Sequence, residues 1–254
     1  MPTALVTGAT AGIGNAFARA LAVRGDDVVL VARDAIRLAR TADELRANGV
    51  TIEEFPADLS DARDLARVAA RVESSDAPID LLINNAGFAV GGDLLDADPA
   101  PLEEAMAVMV EAVMVLSAAA GRAMRTRGHG AILNLGSLAG FTTTGLYSPI
   151  KAWVIIYSES LANELHGTGV TVTVLCPGWV RTEFHERAHM STTAIPDWVW
   201  VDADRVVRET LSDVAAGRVI SIPTKRWKVA HALLAHAPRS SVRAASRMLT
   251  KSRH

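Results

Sequence analysis

The chain has a single cysteine, Cys176, so no internal disulfide can form and a four-thiolate metal site is excluded. A reducing compartment is the expectation. Also lacking are a basic leader, since the N-terminus runs straight into Thr3-Ala-Leu-Val-Thr7, and any Pro/Gly/Ser-rich linker or repeat of fixed period. A signal peptide is therefore not expected and cytoplasmic residence is. Excess charge is missing too: 26 Lys and Arg against 28 Asp and Glu give a formal net charge of -2, which does not suit a nucleic-acid partner. No apolar run is long enough for a bilayer. Met106 to Gly121 is interrupted by Glu111 and Ser117, whereas a spanning helix takes about 20 apolar residues. The stretch predicts a helix buried in the core or in a subunit interface, with Asp98 as its N-cap and Pro99 at its first helical position.

What is present is enough for one substantial core: 254 residues, half of them hydrophobic. Ala4 to Thr7 is a short apolar run, Gly8 to Gly14 a glycine-rich turn, and Ile13, Phe17, Ala20 and Leu21 then recur at helical spacing. Val28 to Ala32 is a β-branched run of the kind found in strands buried on both faces, followed by a helical stretch from about Ala35 to Ala47 that stops at Asn48-Gly49. Five further strand candidates follow at Thr51 to Phe55, Asp80 to Ile83, Ala131 to Leu135, Thr171 to Cys176 and Val219 to Ile222. Strand and helix alternate throughout, which predicts an α/β fold: a doubly wound parallel sheet of about seven strands with helices on both faces.

Two stretches carry chemistry. Thr7-Gly-Ala-Thr-Ala-Gly-Ile-Gly14 lies between a predicted strand and helix, where glycines permit a tight turn and bring helix N–H groups close to a pyrophosphate. In Tyr147-Ser-Pro-Ile-Lys151 the i, i+4 spacing puts a phenol and an ammonium on one helix face. A free phenol has a pKa of about 10. A cation about 4 Å away favours the phenolate by roughly 4 kcal/mol at an effective dielectric near 20, which predicts a tyrosine poised near neutrality. His185 and His189 also sit four apart, but no third ligand accompanies them and no metal is expected.

These stretches, with Asn84-Asn-Ala-Gly87, Ser137 and Pro177-Gly178, stand in the order and near the spacing of the short-chain dehydrogenase/reductase family, which the chain resembles over roughly residues 3 to 222. The resemblance implies a Rossmann-like single domain over 1–224. It implies hydride transfer between a nicotinamide nucleotide and a carbonyl or secondary alcohol. Tyr147 would be the acid/base, Ser137 a donor to the substrate oxygen, and Lys151 both the tuner of Tyr147 and a ligand of the nicotinamide ribose. Gly8, Thr10, Gly12, Ile13 and Gly14 would line the pyrophosphate side. Asp58 and Leu59 would meet the adenine, and Asn85, Ala86 and Gly87 would pass the adenosine half. Pro177, Gly178, Val180 and Thr182 would face the nicotinamide. A homodimer or homotetramer is implied, paired through the helices around Met106 to Ala120 and Tyr147 to Leu165.

The chain departs from that family twice. Ser137 and Tyr147 are ten residues apart, a shortened loop through Phe141-Thr-Thr-Thr-Gly145, and Met109 stands where the family places an asparagine that holds a water. Met109 also keeps a second reading open, that of a member that binds nucleotide as a sensor or structural ligand with little catalysis. At the end of the second predicted strand Ala32 replaces the ribose-binding acid, and Arg33 follows. That pattern predicts NADP(H) over NAD(H), unless Asp34 takes the acid's place. The stretch 181–201, with Phe184, His185, Met190, Trp198 and Trp200, is expected to form a lid over an apolar substrate. From Lys225 to His254 there are eight Lys or Arg and no Asp or Glu. This predicts a basic amphipathic helical extension, lying on anionic lipid or a partner, or packed back on its own domain.

Overall fold

In the computed structural model, residues 1–90, 94–183 and 196–251 are described. Seven parallel strands form one sheet in the order β3-β2-β1-β4-β5-β6-β7, with β1 at Thr3–Thr7, β2 at Asp27–Ala32, β3 at Ile52–Pro56, β4 at Leu81–Asn84, β5 at Gly130–Leu135, β6 at Val170–Leu175 and β7 at Ile220–Ser221. The predicted doubly wound α/β architecture is what the chain adopts. The chain winds outward from β1 to β3 and then returns to start β4 on the other side of β1. Open α/β sheets bind ligands at such a reversal, outside the carboxyl ends of the strands.

Period-two alternation divides the core. Val6 and Leu30 face one layer, with Phe17 and Leu21 of α1 (Gly12–Arg24), Leu38 and Leu45 of α2 (Ala35–Arg46), and Val206 and Val207 of α7 (Ala203–Ala215). Leu5 and Val29 face the other, with Leu65 and Val68 of α3 (Ala62–Glu73) and Leu116, Ala119 and Met124 of α5 (Ala112–Arg127). Asp34, Asp61 and Asp202 cap α2, α3 and α7, each accepting from two backbone N–H groups of the first turn.

The apolar run is the core helix the sequence predicts. It starts as α4 (Ala100–Met106), passes through a π-helical turn at Ala107–Glu111 and continues as α5. This helix has the length and composition to cross a membrane, yet 56% of its most apolar window is buried inside the fold. Its start lies one residue later than predicted: Pro99 takes the N-cap place, and the Asp98 carboxylate accepts from Ala100 N at 3.0 Å. α6 (Tyr147–Glu164) packs Val154 and Ile155 against Val174 and Cys176.

Beyond Thr224 the chain forms α8 (Lys225–His236) and α9 (Arg239–Lys251). Of the arrangements the sequence leaves open, the structure shows this segment packed back on the domain. Trp227 joins two core clusters, His231 meets the Phe141 ring edge-on at 4.5 Å, and Ser246 Oγ accepts from Thr143 N at 3.1 Å. Of the expected lid, Phe184, His185, His189 and Met190 lie outside the described residues. Trp198 and Trp200 lie within them, the latter edge-on to Trp179 at 5.5 Å.

A polar chain crosses the interior. Asn84 Nδ2 donates to Ser117 Oγ at 3.0 Å and to Asn134 Oδ1 at 2.9 Å, and Asn134 Nδ2 donates to Ser158 Oγ at 3.0 Å. All four side chains are buried, so β4, β5, α5 and α6 are joined by bonds that water cannot replace. Asn134→Ala leaves the amide of Asn84 and the hydroxyl of Ser158 without this partner and should cost about 2–4 kcal/mol, read from urea unfolding.

Candidate active site

The carboxyl ends of β1 and β4 are tied by one hydroxyl. Thr7 Oγ1 donates to Ile83 O and accepts from Asn85 N at 2.9 Å and Ala86 N at 3.0 Å. Asn85 Nδ2 in turn donates to Thr7 O at 2.9 Å and Gly8 O at 3.3 Å. The Asn85 side chain therefore braces the glycine turn, and the segment Asn85 to Gly87 offers a ligand mainly its backbone. Gly8 has φ +66°, and a Cβ there would crowd Ala86. At Gly14 a Cβ would collide with Gly8 O and the Asn85 amide, so only glycine lets α1 start this close to the turn. Gly12 faces Thr182, whose Cβ would lie 3.4 Å from a Cβ on the glycine. The fold thus brings the turn and the loop after β6 into contact at the carboxyl ends of the strands, where open α/β sheets form their ligand cleft. Val180 pairs with Val201 at the base of that loop, and Ile13 packs partly into the core.

At the edge of β2, Arg33 is largely exposed, 3.8 Å from Asp58 and 3.4 Å from Glu104. Asp34 caps α2 through Ile36 N and Arg37 N at 3.0 Å each, so its carboxylate is committed to the helix and is not aimed at a ribose. A basic residue missed in the sequence stands next to Arg33. Arg37 donates to Thr10 O at 3.3 Å and pairs with Glu183 at 3.4 Å, linking the glycine turn to the loop after β6. Its signal was position alone, the first turn of the helix that follows Arg33. Burial works to raise the Asp58 pKa, but two hydrogen bonds from Ser60 and the charge of Arg33 outweigh it and hold the carboxyl below its ordinary value. Leu59 is buried in the core, so its side chain points away from the cleft.

Ser137, Tyr147 and Lys151 come together past the end of β5. Ser137 caps a 3-10 turn at Leu138–Phe141, its Oγ accepting from Ala139 N at 3.1 Å, and it is hydrogen-bonded to Tyr147. Leu138 N donates to Pro177 O at 3.1 Å, fastening that turn to the loop after β6. Gly140 lets the turn rest directly on the backbone of α6 at Lys151 and Ala152. Tyr147 opens α6, its side chain partly accessible while its hydroxyl end lies deep. The shortened loop closes through hydroxyls: Ser148 Oγ bonds Thr142 at 3.1 Å and Thr144 at 3.0 Å.

The expected poising of Tyr147 by Lys151 is not what this structure holds. The Lys151 side chain is 2% exposed, and its Nζ donates to Leu135 O at 2.8 Å while lying 5.4 Å from the centre of the Tyr147 ring. Burial raises the Tyr147 pKa well above the ordinary phenol value, only partly offset by the Ser137 hydrogen bond. Burial also lowers Lys151 to about 8, against an upward pull from nearby Cys176, whose thiol burial pushes up to about 12. The cost of taking both groups out of water outweighs the Coulomb attraction between them.

Met109 sits in the π-turn, 1% exposed, and packs with Val108 and Ile150 beside Ala86, Phe88 and Tyr147. A Cβ on Gly87 would lie 3.0 Å from its sulfur. The thioether fills the space between the Asn85–Gly87 segment and the first turn of α6, and single π-turns within α-helices cluster at functional sites.

Comparison with known proteins agrees with this geometry. The family model described as short chain dehydrogenase matches residues 2–192. Galactitol 2-dehydrogenase (L-tagatose-forming) of Cereibacter sphaeroides is 40% identical over 185 residues, covering 71% of this chain and 72% of that protein. Among solved structures, a short-chain dehydrogenase from Sphingobium yanoikuyae in complex with NADPH superposes with a TM-score of 0.83 at 34% identity, over 94% of this chain and 98% of that one. The bulky-bulky ketone specific alcohol dehydrogenase from Comamonas testosteroni gives a TM-score of 0.79 at 30% identity, over 94% and 96%.

The buried lysine has a measurable consequence. Its folded pKa of about 8 lies below the ordinary 10.5, so between these values the unfolded chain binds more protons and stability rises with pH; below about 8 the penalty is fully present. In Lys151→Met that contribution vanishes. The stability difference between variant and wild type, from urea unfolding at successive pH values, should shift in favour of wild type by about 3 kcal/mol between pH 7.5 and 10.5.

Proposed function

The chain belongs to the short-chain dehydrogenase/reductase family, and we propose that it is an NADP(H)-dependent oxidoreductase interconverting a carbonyl and a secondary alcohol. The observation that carries this is the convergence of Ser137, Tyr147 and Lys151 beside the Pro177 loop, with the glycine turn against the same loop at Thr182. The residues fit a dinucleotide. Gly8 to Gly14 bring backbone and the start of α1 to the pyrophosphate side. Arg33 follows the end of β2 and Arg37 bonds Thr10 O, on the side where an adenosine 2'-phosphate would lie, both held meanwhile by exposed carboxylates that a phosphate can replace. The commitment of Asp34 to the α2 cap favours NADP(H) further.

The nucleotide supplies or takes up the hydride. Tyr147 moves the proton at the substrate oxygen, and Ser137 donates a hydrogen bond to that atom. Lys151, fixed by Leu135 O, places positive charge behind the tyrosine as its hydroxyl loses the proton. A mostly apolar cleft of about 140 Å³ next in sequence to Tyr147, lined by Leu94, Pro99, Pro101, Leu102 and Leu146 with Asp96 and Asp98, supports an apolar substrate side. Together with the bulky ketones of the Comamonas testosteroni enzyme this supports a hydrophobic carbonyl compound. Exposed Met114 on α5 and Ile156 on α6 support a homo-oligomer paired through these helices, which light scattering checks.

Met109 favours a second reading, a nucleotide binder with little turnover, because a thioether cannot donate a hydrogen bond to an ordered water. Incubation with NADPH and a panel of ketones decides between the two: loss of reduced-nucleotide absorbance supports the enzyme, and binding without consumption supports the sensor. In the enzyme, Tyr147→Phe should lower kcat by about 10²–10⁴ with nucleotide binding intact, while Met109→Asn raises turnover or leaves it unchanged. Arg33→Ala and Arg37→Ala should each weaken NADPH binding by about ten- to a hundredfold and spare NADH. Tighter binding of NADH by the wild type would overturn the nucleotide assignment.

A further inference from the structure

Charge is unevenly divided along this chain. The segment from Lys225 onward has eight of the 26 Lys and Arg, and the preceding residues carry all 28 Asp and Glu against the remaining 18. A near-neutral protein is thus an acidic body with a basic end, an asymmetry that points to an anionic partner. Elsewhere on the surface most guanidinium groups are matched, Arg19, Arg46, Arg71, Arg122 and Arg205 among them, while Arg63, Arg125 and Arg208 are exposed single cations scattered over different helices. Lys225, Lys228, Arg239, Arg243 and Arg247 are exposed, and among the described residues none has a carboxylate in salt-bridge contact.

The helices give this charge a direction. One side of α8 is the packed side: Trp227, Ala230, His231 and Leu234 are partly buried. A Cβ on Gly178 would overlap the Trp227 indole, and His231 stands against Phe141. The other side repeats at helical spacing as Lys225, Lys228, Val229, Ala232, Leu233 and His236, all exposed, with Val229 at 60% and Leu233 at 69%. On α9 the inward positions Val242 and Ser246 are each 3% exposed, while Arg239, Arg243 and Arg247 form an outward stripe. Arg226 fastens α8 to the backbone carbonyls of Trp198 and Trp200, and Trp198 is itself 70% exposed.

We propose that the outer face of α8, flanked by the arginines of α9, docks the protein on an anionic lipid surface. Lysines beside two large aliphatic side chains on a helix held flat against the domain match an interfacial helix: the cations meet lipid phosphates and Val229 and Leu233 enter the acyl boundary. The same helix braces the Pro177-Gly178 loop and the turn after Ser137 from its inner side, so docking sets the catalytic cleft next to the lipid, where apolar carbonyl compounds collect. The docking itself does not depend on the catalytic reading, because its test reads partition and not turnover.

Full-length protein is floated with vesicles of phosphatidylcholine alone or mixed with phosphatidylglycerol, at low and high salt. It should partition onto the mixed vesicles only, and high salt should release it. Lys225→Gln/Lys228→Gln should weaken partition by about thirtyfold, and Val229→Ser/Leu233→Ser should weaken it with the salt dependence kept. Unchanged circular dichroism and urea midpoint show that both variants are folded. Equal partition onto the two compositions, or partition unaffected by either variant, overturns the proposal. Retention by an acidic soluble protein with no partition onto vesicles overturns it as well.

Discussion

The Thr7 hydroxyl holds the site together. Chain reversal between β1 and β4 leaves two neighbouring strands whose continuations part in opposite directions, and their last backbone groups would open without a side chain to span them. Thr7 Oγ1 serves three backbone groups of the β4 end, and Asn85 returns two bonds to the β1 end. With the strand ends fixed, the glycine turn has a floor and α1 can start within contact of it. The remaining groups hang on the same edge: Ser137 and the Leu135 carbonyl from β5, the Pro177 loop from β6.

Much of this was legible because it is local. Buried parallel strands are written as short apolar runs, the β-branched Val28 to Ala32 the clearest, and seven strand candidates became seven strands. The i, i+4 spacing of Tyr147 and Lys151 needs only a helix. Gly8 and Gly14 announce a close approach because no other residue fits their surroundings. What escaped needs partners distant in sequence. Arg37 gains its place only when α2 folds its first turn against Thr10, Lys151 finds its acceptor sixteen residues earlier on β5, and Trp227 settles on Gly178 from the far end of the chain. Asp34 is instructive in another way: as sequence it competes with Arg33 for the ribose, and the competition ends only when its oxygen is seen holding Ile36 and Arg37 N–H groups.

The electrostatic expectation failed for a physical reason. Bringing a phenol and an ammonium together on one face says nothing of how much water they lose. Here the lysine and the hydroxyl end of the tyrosine are both taken out of water, each is driven toward its neutral form, and the lysine turns to a carbonyl oxygen. The fold holds a buried lysine, its pKa lowered by that burial, 5.4 Å from the centre of the Tyr147 ring.

The π-turn at Ala107–Glu111 makes the long helix a splice between two registers. One extra residue in a turn rotates everything after it by about 100° relative to an unbroken helix. In this way Ala105, Val108 and Met109 can line the cleft-side cluster while Ala112, Leu116 and Ala119 line the sheet, along one continuous rod. The length of this segment is therefore not free to drift. Losing one residue between 107 and 111 would heal the helix into a single register, and either the sheet or the cleft would then be presented with the wrong side chains.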